Sequence, residues 1–230
     1  MPKHGIVIAC DIDSLSSMIK LVKETTRIEG VSGYKIGFTL TLRYGLSTVV
    51  EIMKQNTNLP VIFDYQKAGN DIPSMGKPFA KICKESGVDS VIIFPFTGPE
   101  TQKEFTFALI EEGLNVITGS HMTHSKFLAS DGGYIERKST EMIFQWAKVL
   151  GCGSFVIPGN RIDYSQNLIS VLNKPDAIFY SPGIGTQGGS LKDFIEMTKN
   201  YESYAIIGSA IYNSSDPVLK ILEFMSEISE

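Results

Sequence analysis

The sequence predicts one (β/α)8 barrel, a TIM barrel, spanning residues 1–230 as a single domain. Eight short runs rich in β-branched and aromatic residues alternate with eight longer amphipathic stretches. The short runs are apolar on both faces, which is typical of a parallel sheet covered by helices. Eight such units in this length fit a closed barrel, whose usual size is about 250 residues. A doubly wound open sheet is the structural alternative.

The elements follow one another in strand–helix order, and no linker or low-complexity tract interrupts them. The predicted strands are GIVIAC (5–10), GYKIG (33–37), PVIFDY (60–65), DSVIIFP (89–95), NVITGS (115–120), GSFVIP (153–158), DAIFYSP (176–182) and YAIIG (204–208). Helices are predicted between and after them at 14–27, 39–55, 76–86, 99–112, 134–150, 163–173, 190–199 and 215–229. The longest connection, 121–133, follows the fifth strand, and loops of that length are often functional.

Composition narrows the classes of partner. The net charge of −4 and the lack of a basic run argue against nucleic acid and against an anionic membrane surface. Three scattered cysteines match neither a zinc site nor a disulfide framework, and they suggest a reducing compartment. The N-terminal apolar run is too short for a signal peptide, and no run approaches a membrane span. We expect a cytoplasmic protein.

Charged residues stand at the ends of the first three predicted strands. Asp11 ends the first, Lys35 lies within the second, and Asp64, Lys67 and Asp71 follow the third. Each alone could be a solvated loop charge. In a (β/α)8 barrel, however, the carboxyl ends of the strands meet at one rim, where the active site lies. A buried lysine without a partner is costly, so alternating Lys and Asp residues predict a fixed charge array.

The stretch SPGIGTQGG (181–189) contains G-x-G-x-x-G at Gly183, Gly185 and Gly188. A dinucleotide fingerprint belongs in the first strand–helix turn, whereas this one follows the seventh strand, so we reject a dinucleotide cofactor. Phosphate sites of barrels often form after strands seven and eight, where glycines let backbone N–H groups approach the phosphate. A glycine-rich loop without a ligand is the alternative.

Two histidines and an arginine near the fifth and sixth strands are weaker candidates. His121 and His124 flank Thr123, but two histidines three residues apart, without nearby carboxylates, are a poor metal signature. Polar-pocket or solvated histidines are favoured. Arg161 is interpreted either as a charge at a helix N-terminus or as a contact to an anion.

Taken together, these segments resemble orotidine 5'-monophosphate decarboxylases, particularly their archaeal branch. The resemblance runs over nearly the whole chain. The matching segments are IVIACDID with Asp11, YKIGF with Lys35, FDYQKAGNDIP with Asp64, Lys67, Asp71 and Ile72, SPGIGTQGG with Gln187, and IIGSAIYNSSDP. The phosphate loop and the last strand together are fairly specific, whereas sister enzymes share the charged signature.

The resemblance implies conversion of orotidine monophosphate into uridine monophosphate and CO₂ without a cofactor or metal. Lys67 would stabilise the carbanion at C6 and protonate it, Asp64 would lie against the substrate carboxylate, and Lys35 would orient the aspartates. Asp71 and Ile72 would come from the partner subunit, which implies a homodimer with shared sites. The implied contacts to ribose, base and phosphate are Asp11, Thr123, Pro182, Gly183, Gln187, Gly188, Gly208 and Ser209.

The sequence departs from the family pattern at two places. Asp64 and Lys67 are three residues apart and Lys67 and Asp71 four, each one more than in the family, so a bulge or an early strand end is required. Ser209 stands where the family has a phosphate-binding arginine. Two alternatives therefore stay open: a magnesium-dependent sugar-phosphate lyase, which would carry a metal-binding glutamate at the position of Lys35, and a catalytically silent nucleotide-binding barrel.

Overall fold

A closed eight-stranded barrel is formed in the part of the chain that the computed structural model describes, residues 4–66 and 68–229. Each strand pairs in parallel with the next, and the eighth pairs with the first, so the prediction of a (β/α)8 barrel is confirmed and the open sheet is excluded. The strands are β1 (His4–Ala9), β2 (Val31–Ile36), β3 (Val61–Asp64), β4 (Ser90–Ile93), β5 (Asn115–Gly119), β6 (Ser154–Val156), β7 (Ile178–Ser181) and β8 (Glu202–Ile207).

The helices cover the outside of the barrel close to their predicted positions. They are α1 (Leu15–Thr25), α2 (Phe38–Tyr44), α3 (Leu46–Lys54), α4 (Gly76–Glu85), α5 (Pro99–Glu111), α6 (Arg137–Val149), α7 (Ile162–Leu172), α8 (Leu191–Met197), α9 (Ser209–Tyr212) and α10 (Pro217–Ser229). The single helix predicted over 39–55 is wrong. Gly45 lies between α2 and α3 and separates them. Its φ of +81° is a backbone conformation that residues other than glycine rarely adopt. None of these helices is long and apolar enough to cross a membrane.

Apolar side chains fill two separate cores. The larger core lies between the strands and the helices, and the smaller one fills the barrel interior with Val7, Ala9, Ile62, Ile92, Phe94, Ile117, Val156, Tyr180, Tyr204 and Ile206. Successive side chains of a strand point to opposite faces. The interior positions Val7 and Ala9 therefore continue to Asp11, and Ile62 continues to Asp64. Strand periodicity alone brings these carboxylates to the rim.

The chain leaves the sheet early at Asp64, the first residue of the widely spaced charged signature. β3 ends at Asp64, and the Ala68 N–H then donates to the Tyr65 carbonyl at 2.7 Å. Gly69 has φ +83°, and a Cβ there would lie 3.0 Å from Pro95, so glycine suits this turn in both conformation and space. The predicted early strand end is thus observed. Lys67 itself lies outside the described residues.

Candidate active site

A cavity of about 240 Å³ opens at the carboxyl end of the barrel, where the strand ends meet. Residues from β1, β2, β3 and the loops after β5, β7 and β8 line it. Nine predicted site residues are among them: Asp11, Lys35, Asp64, Thr123, Pro182, Gly183, Gln187, Gly208 and Ser209. The structure therefore brings the acidic and basic residues of the early strands together with the glycine-rich loop of the late ones.

Lys35 links two carboxylates at the floor of this cavity. Its Nζ lies 3.0 Å and 3.1 Å from the two Asp11 carboxylate oxygens and 3.0 Å from Asp64 Oδ2. The side chain of Lys35 is almost fully buried, that of Asp64 nearly so, and that of Asp11 is partly open. The arrangement satisfies the ammonium that the apolar surroundings of β2 would otherwise leave unpaired.

Electrostatics keeps the ammonium of this Asp11–Lys35–Asp64 array charged. Burial alone would lower the pKa of Lys35, but the Asp64 and Asp11 carboxylates, with their hydrogen bonds, raise it above its ordinary value. Lys35 is therefore a permanent cation at neutral pH. Burial next to Asp11 raises the pKa of the Cys10 thiol to about 12, despite the opposing charge of Lys35, so this cysteine stays protonated.

One carboxylate oxygen of the array accepts no hydrogen bond from a described residue. Asp64 Oδ1 is buried and has no hydrogen-bond partner among the described residues, which do not include Lys67. A buried polar atom without a partner is uncommon in folded proteins. Asp64 thus carries one oxygen fixed by Lys35 and a second available to another donor.

The loop between β7 and α8 is held by its own backbone. Gly183, Gly185 and Gly188 all have φ between +84° and +91°. The Gly189 N–H donates to the Gly183 carbonyl, and the Gly185 N–H donates to the Gly189 carbonyl, at 2.9 and 3.0 Å. These glycines shape a tight loop whose Pro182, Gly183 and Gln187 reach the cavity.

Side chains tie this loop to its neighbours. Asn160 Nδ2 donates to the Thr123 carbonyl at 3.1 Å and to the Gln187 carbonyl at 3.4 Å, so it joins the loops after β5 and β7. The Thr186 and Ser209 hydroxyls lie 2.8 Å apart across the gap to α9. The cavity therefore presents the Ser209 hydroxyl, with the Thr186 hydroxyl beside it, where the resemblance leads one to expect an arginine.

Three predicted site residues do not line this cavity. Asp71 and Ile72 are exposed on the rim, where Asp71 Oδ1 accepts a 2.7 Å hydrogen bond from the Ile72 N–H. The Ile72 side chain is 62% exposed, a high value for an isoleucine. Gly188 shapes the loop without reaching the cavity wall.

Arg161 also lies away from the cavity. Its Nη2 donates to the His124 carbonyl at 3.2 Å and lies 3.7 Å from Asp131 Oδ2. The guanidinium therefore braces the long loop after β5, and we do not assign it the anion contact that the sequence left open.

Sequence reasoning missed several residues of the cavity wall. They are Ala9, Gln66, Phe94, Met122, Ile184, Thr186, Ile206 and Tyr212. His121, which the sequence offered as a polar-pocket or solvated histidine, also lines the wall. A signal was present for His121, because the alternation Ile117, Gly119, His121 directs it inward from β5. His121 also lines a second cavity, together with Arg161 and Tyr164.

A metal centre would need a different arrangement of side chains. Among the described residues, no group of three or more His, Cys, Asp or Glu residues could hold a metal ion. The two carboxylates that face each other here are already bridged by the Lys35 ammonium at 3.0 Å. A divalent cation at that point would have to displace a like charge.

Known proteins match this chain over nearly the whole length of the barrel. Residues 5–224 match the family model described as "Orotidine 5'-phosphate decarboxylase / HUMPS family". The chain is 30% identical over 229 residues to an orotidine 5'-phosphate decarboxylase of Methanosphaera stadtmanae, covering 98% of each chain. It is also 30% identical over 212 residues to the enzyme of that name from Methanococcus maripaludis, covering 92% of this chain and 91% of the relative.

Solved structures agree with the fold. The crystal structure of orotidine 5'-phosphate decarboxylase from Pyrococcus horikoshii OT3 superimposes with a TM-score of 0.81 at 27% identity, covering 98% of this chain and 99% of that one. An orotidine 5'-monophosphate decarboxylase from Methanocaldococcus jannaschii, complexed with inhibitor BMP, gives 0.86 at 23% identity, with 98% and 99% coverage. At that identity the second likeness shows the fold alone.

Proposed function

The chain belongs to the orotidine 5'-phosphate decarboxylase / HUMPS family, and we propose that it is a carboxy-lyase that converts orotidine 5'-monophosphate into uridine 5'-monophosphate and CO₂. This is a step of pyrimidine biosynthesis. The observation that carries the proposal is the Asp11–Lys35–Asp64 array on the same cavity as the glycine-rich loop. The array suits a reaction that develops negative charge on carbon, and the loop suits a phosphate.

The proposed reaction breaks one bond and forms another at C6 of the pyrimidine. The C6–carboxylate bond breaks, CO₂ leaves, and the electron pair stays on C6. The Lys67 ammonium stabilises this carbanion by its charge and then donates a proton to C6. Asp64 lies beside the substrate carboxylate, and the repulsion between the two anions ends when CO₂ departs.

Lys35 is proposed as a positioning residue in this scheme. Its contacts at 3.0 Å to Asp11 and Asp64 hold both carboxylates in place. Asp64 Oδ1, which lacks a partner among the described residues, is then oriented for the Lys67 ammonium. Asp11 and Lys35 also contact the ribose hydroxyls, and Thr123 contacts the pyrimidine amide.

The phosphate is proposed to bind to backbone amides and hydroxyls. The Gly185 and Gly188 N–H groups are bonded within the loop. The groups offered to the phosphate are therefore the N–H groups of Thr186, Gln187 and Gly208, the Gln187 side chain, and the hydroxyls of Thr186 and Ser209, all on residues that line the cavity. Binding energy gained there helps to close the site over the base. Hydroxyls are weaker phosphate ligands than a bidentate guanidinium.

We further propose a homodimer in which Asp71 and Ile72 complete the partner's site. The support is that both residues are exposed on the rim and that Ile72 presents an apolar side chain to solvent. Mixing Lys67→Ala and Asp71→Ala proteins, each inactive alone, tests it. Random exchange of subunits makes half of the dimers hybrids, and each hybrid has one intact site, so about a quarter of the wild-type activity returns. Activity that stays absent after exchange contradicts shared sites.

A cytoplasmic location is part of the same proposal. Cys10, Cys83 and Cys152 are free and buried, as expected in a reducing compartment.

The activity test compares two substrates with and without magnesium. Loss of orotidine monophosphate absorbance in EDTA, with uridine monophosphate as the product, supports the decarboxylase. Cleavage of a hexulose 6-phosphate only with magnesium would instead assign the chain to the sugar-phosphate lyases. Binding of uridine monophosphate without any turnover would identify a silent barrel.

A further inference from the structure

The turn that follows β3 contains an asparagine whose side chain joins it to the next loop. Asn70 Nδ2 donates to the Phe94 carbonyl at 2.6 Å and to the Gln66 carbonyl at 3.0 Å. Its Oδ1 accepts from the Phe96 N–H at 2.9 Å. The two amide hydrogens and the oxygen of Asn70 are thus all used on backbone groups. Two of these bonds cross to the loop after β4, and the third closes the turn on itself.

Two threonine hydroxyls strengthen the same link between the loops. Thr97 Oγ1 donates to the Gly69 carbonyl at 2.9 Å. Thr101 Oγ1 donates to the Asp71 carbonyl at 2.9 Å. These bonds, like those that Asn70 donates, end on backbone carbonyls. They fix the path of the main chain and leave charged side chains uninvolved.

The length of the turn explains why it needs this support. The charged residues of this signature stand one position farther apart, at each step, than those of the family it resembles. Each added residue brings backbone freedom that has to be restricted on folding. Catalytic groups have to be held within about 0.5 Å of their productive positions. Asn70 stands inside the widened part, between Lys67 and Asp71.

We propose that Asn70 is a positioning residue, which fixes the backbone of the widened turn so that Lys67 and Asp71 are held for catalysis. The inference rests on the proposed function, because these two residues are catalytic only in that reaction. The bonds of Asn70 bracket the lysine, since Gln66 precedes it and Asn70 follows it. Asn70 is half-buried and does not line the cavity, so it acts through its neighbours.

Loss of this support should slow the chemical step more than it weakens binding. The charge of Lys67 is used on the C6 carbanion, whereas the phosphate and ribose contacts come from other strand ends. A catalytic group displaced by about 1 Å costs about 100-fold in rate. We expect Asn70→Ala to lower kcat about 10- to 100-fold, and to change KM for orotidine monophosphate and Kd for uridine monophosphate by less than about three-fold.

Two further variants make the comparison specific. Asn70→Asp keeps the size of the side chain but turns an oxygen toward two carbonyl groups, so it should lose at least as much kcat as Asn70→Ala. Asn56 is the matched control, because it is also half-buried and donates to a backbone carbonyl, that of Ile52, at 2.7 Å. It precedes β3, at the opposite end of the barrel. Asn56→Ala should keep the wild-type kcat.

Hydrogen–deuterium exchange of the peptide spanning 65–72 measures the turn itself. Exchange should be faster in both Asn70 variants than in wild type and unchanged in Asn56→Ala. Folded Asn70 variants with wild-type kcat overturn the proposal, and so does a loss that appears in Kd for uridine monophosphate as strongly as in kcat. Failure of both Asn70 variants to fold also overturns it, because Asn70 would then support the barrel rather than the turn.

Turnover of orotidine monophosphate by wild type separates this inference from the proposed function. An active wild type with unchanged kcat in the Asn70 variants refutes only the role of Asn70. A wild type without turnover, whose 65–72 peptide exchanges faster in both Asn70 variants, refutes the decarboxylase and supports Asn70 as the residue that holds the turn.

Discussion

Replacing Lys35 by methionine tests the buried charge array most severely. Methionine keeps an unbranched side chain of similar length but removes the ammonium that lies 3.0 Å from both Asp11 and Asp64. The two carboxylates then face each other without a counter-charge. Asp64 is the more affected of the two, because its side chain is 12% exposed while that of Asp11 is 44% exposed.

The expected loss follows from distance and burial. At 3.0 Å and an effective dielectric constant of about 20, the buried Lys35–Asp64 pair contributes about 5 kcal/mol of attraction before desolvation is subtracted. The Lys35–Asp11 pair contributes less, because the Asp11 side chain is 44% exposed to solvent. Removing one partner of a buried pair typically costs about 3–5 kcal/mol, since the other charge stays buried. We expect Lys35→Met to lower the free energy of unfolding by that amount, and by less in an Asp64→Asn background.

Urea denaturation at pH 7 measures this loss, and the chain offers a matched control. Lys54 also lies 3.0 Å from an aspartate, Asp89, but both side chains are about 40% exposed. Lys54→Met should therefore cost at most about 1 kcal/mol. If Lys35→Met costs no more than Lys54→Met, burial does not make this array special and the reasoning is wrong.

Two further perturbations address the wall opposite the array. Because the pKa of His121 is about 4 in the folded protein and 6.5 as its ordinary value, protonation favours the unfolded state below pH 6.5. The stability of wild type relative to His121→Leu should fall by roughly 3 kcal/mol from pH 7 to pH 4 in urea titrations, and a flat difference contradicts the burial of a neutral imidazole. At Gly119 a Cβ would lie 2.3 Å from the Phe94 ring, which lines the cavity. Gly119→Ala should cost about 1–3 kcal/mol and raise KM for orotidine monophosphate, whereas Gly153→Ala, with open space around it, should change neither. Equal behaviour of the two glycine variants contradicts the contact.

The fold could be predicted almost completely from periodicity. All eight strands lie within two residues of their predicted ends, since strands buried on both faces are unmistakably apolar. The helix break at Gly45 was missed because one glycine in an amphipathic pattern does not reveal whether its φ is positive. The short helix α9 was missed because four residues are too few to show the 3.6-residue periodicity of a helix.

Site residues could be predicted from the sequence where a charged side chain interrupts an apolar strand. Lys35 in an apolar strand demands partners, and strand alternation supplies Asp11 and Asp64. His121 gave a weaker signal, since a sequence does not state whether a histidine finds partners when buried. The direction of Arg161 likewise depends on Asp131 and the His124 carbonyl, which are contacts between separate loops.

The central claim is metal-free decarboxylation by the lysine and aspartate array, and kcat/KM for orotidine monophosphate in EDTA tests it most directly. Wild type should turn over at full rate, and Lys67→Ala should lose at least about 10³-fold while unfolding at the wild-type temperature. Lys81→Ala removes an exposed lysine paired only loosely with Glu85 at 3.8 Å, so it should retain wild-type kcat/KM. Activity that requires added magnesium, or that survives in Lys67→Ala, contradicts the account.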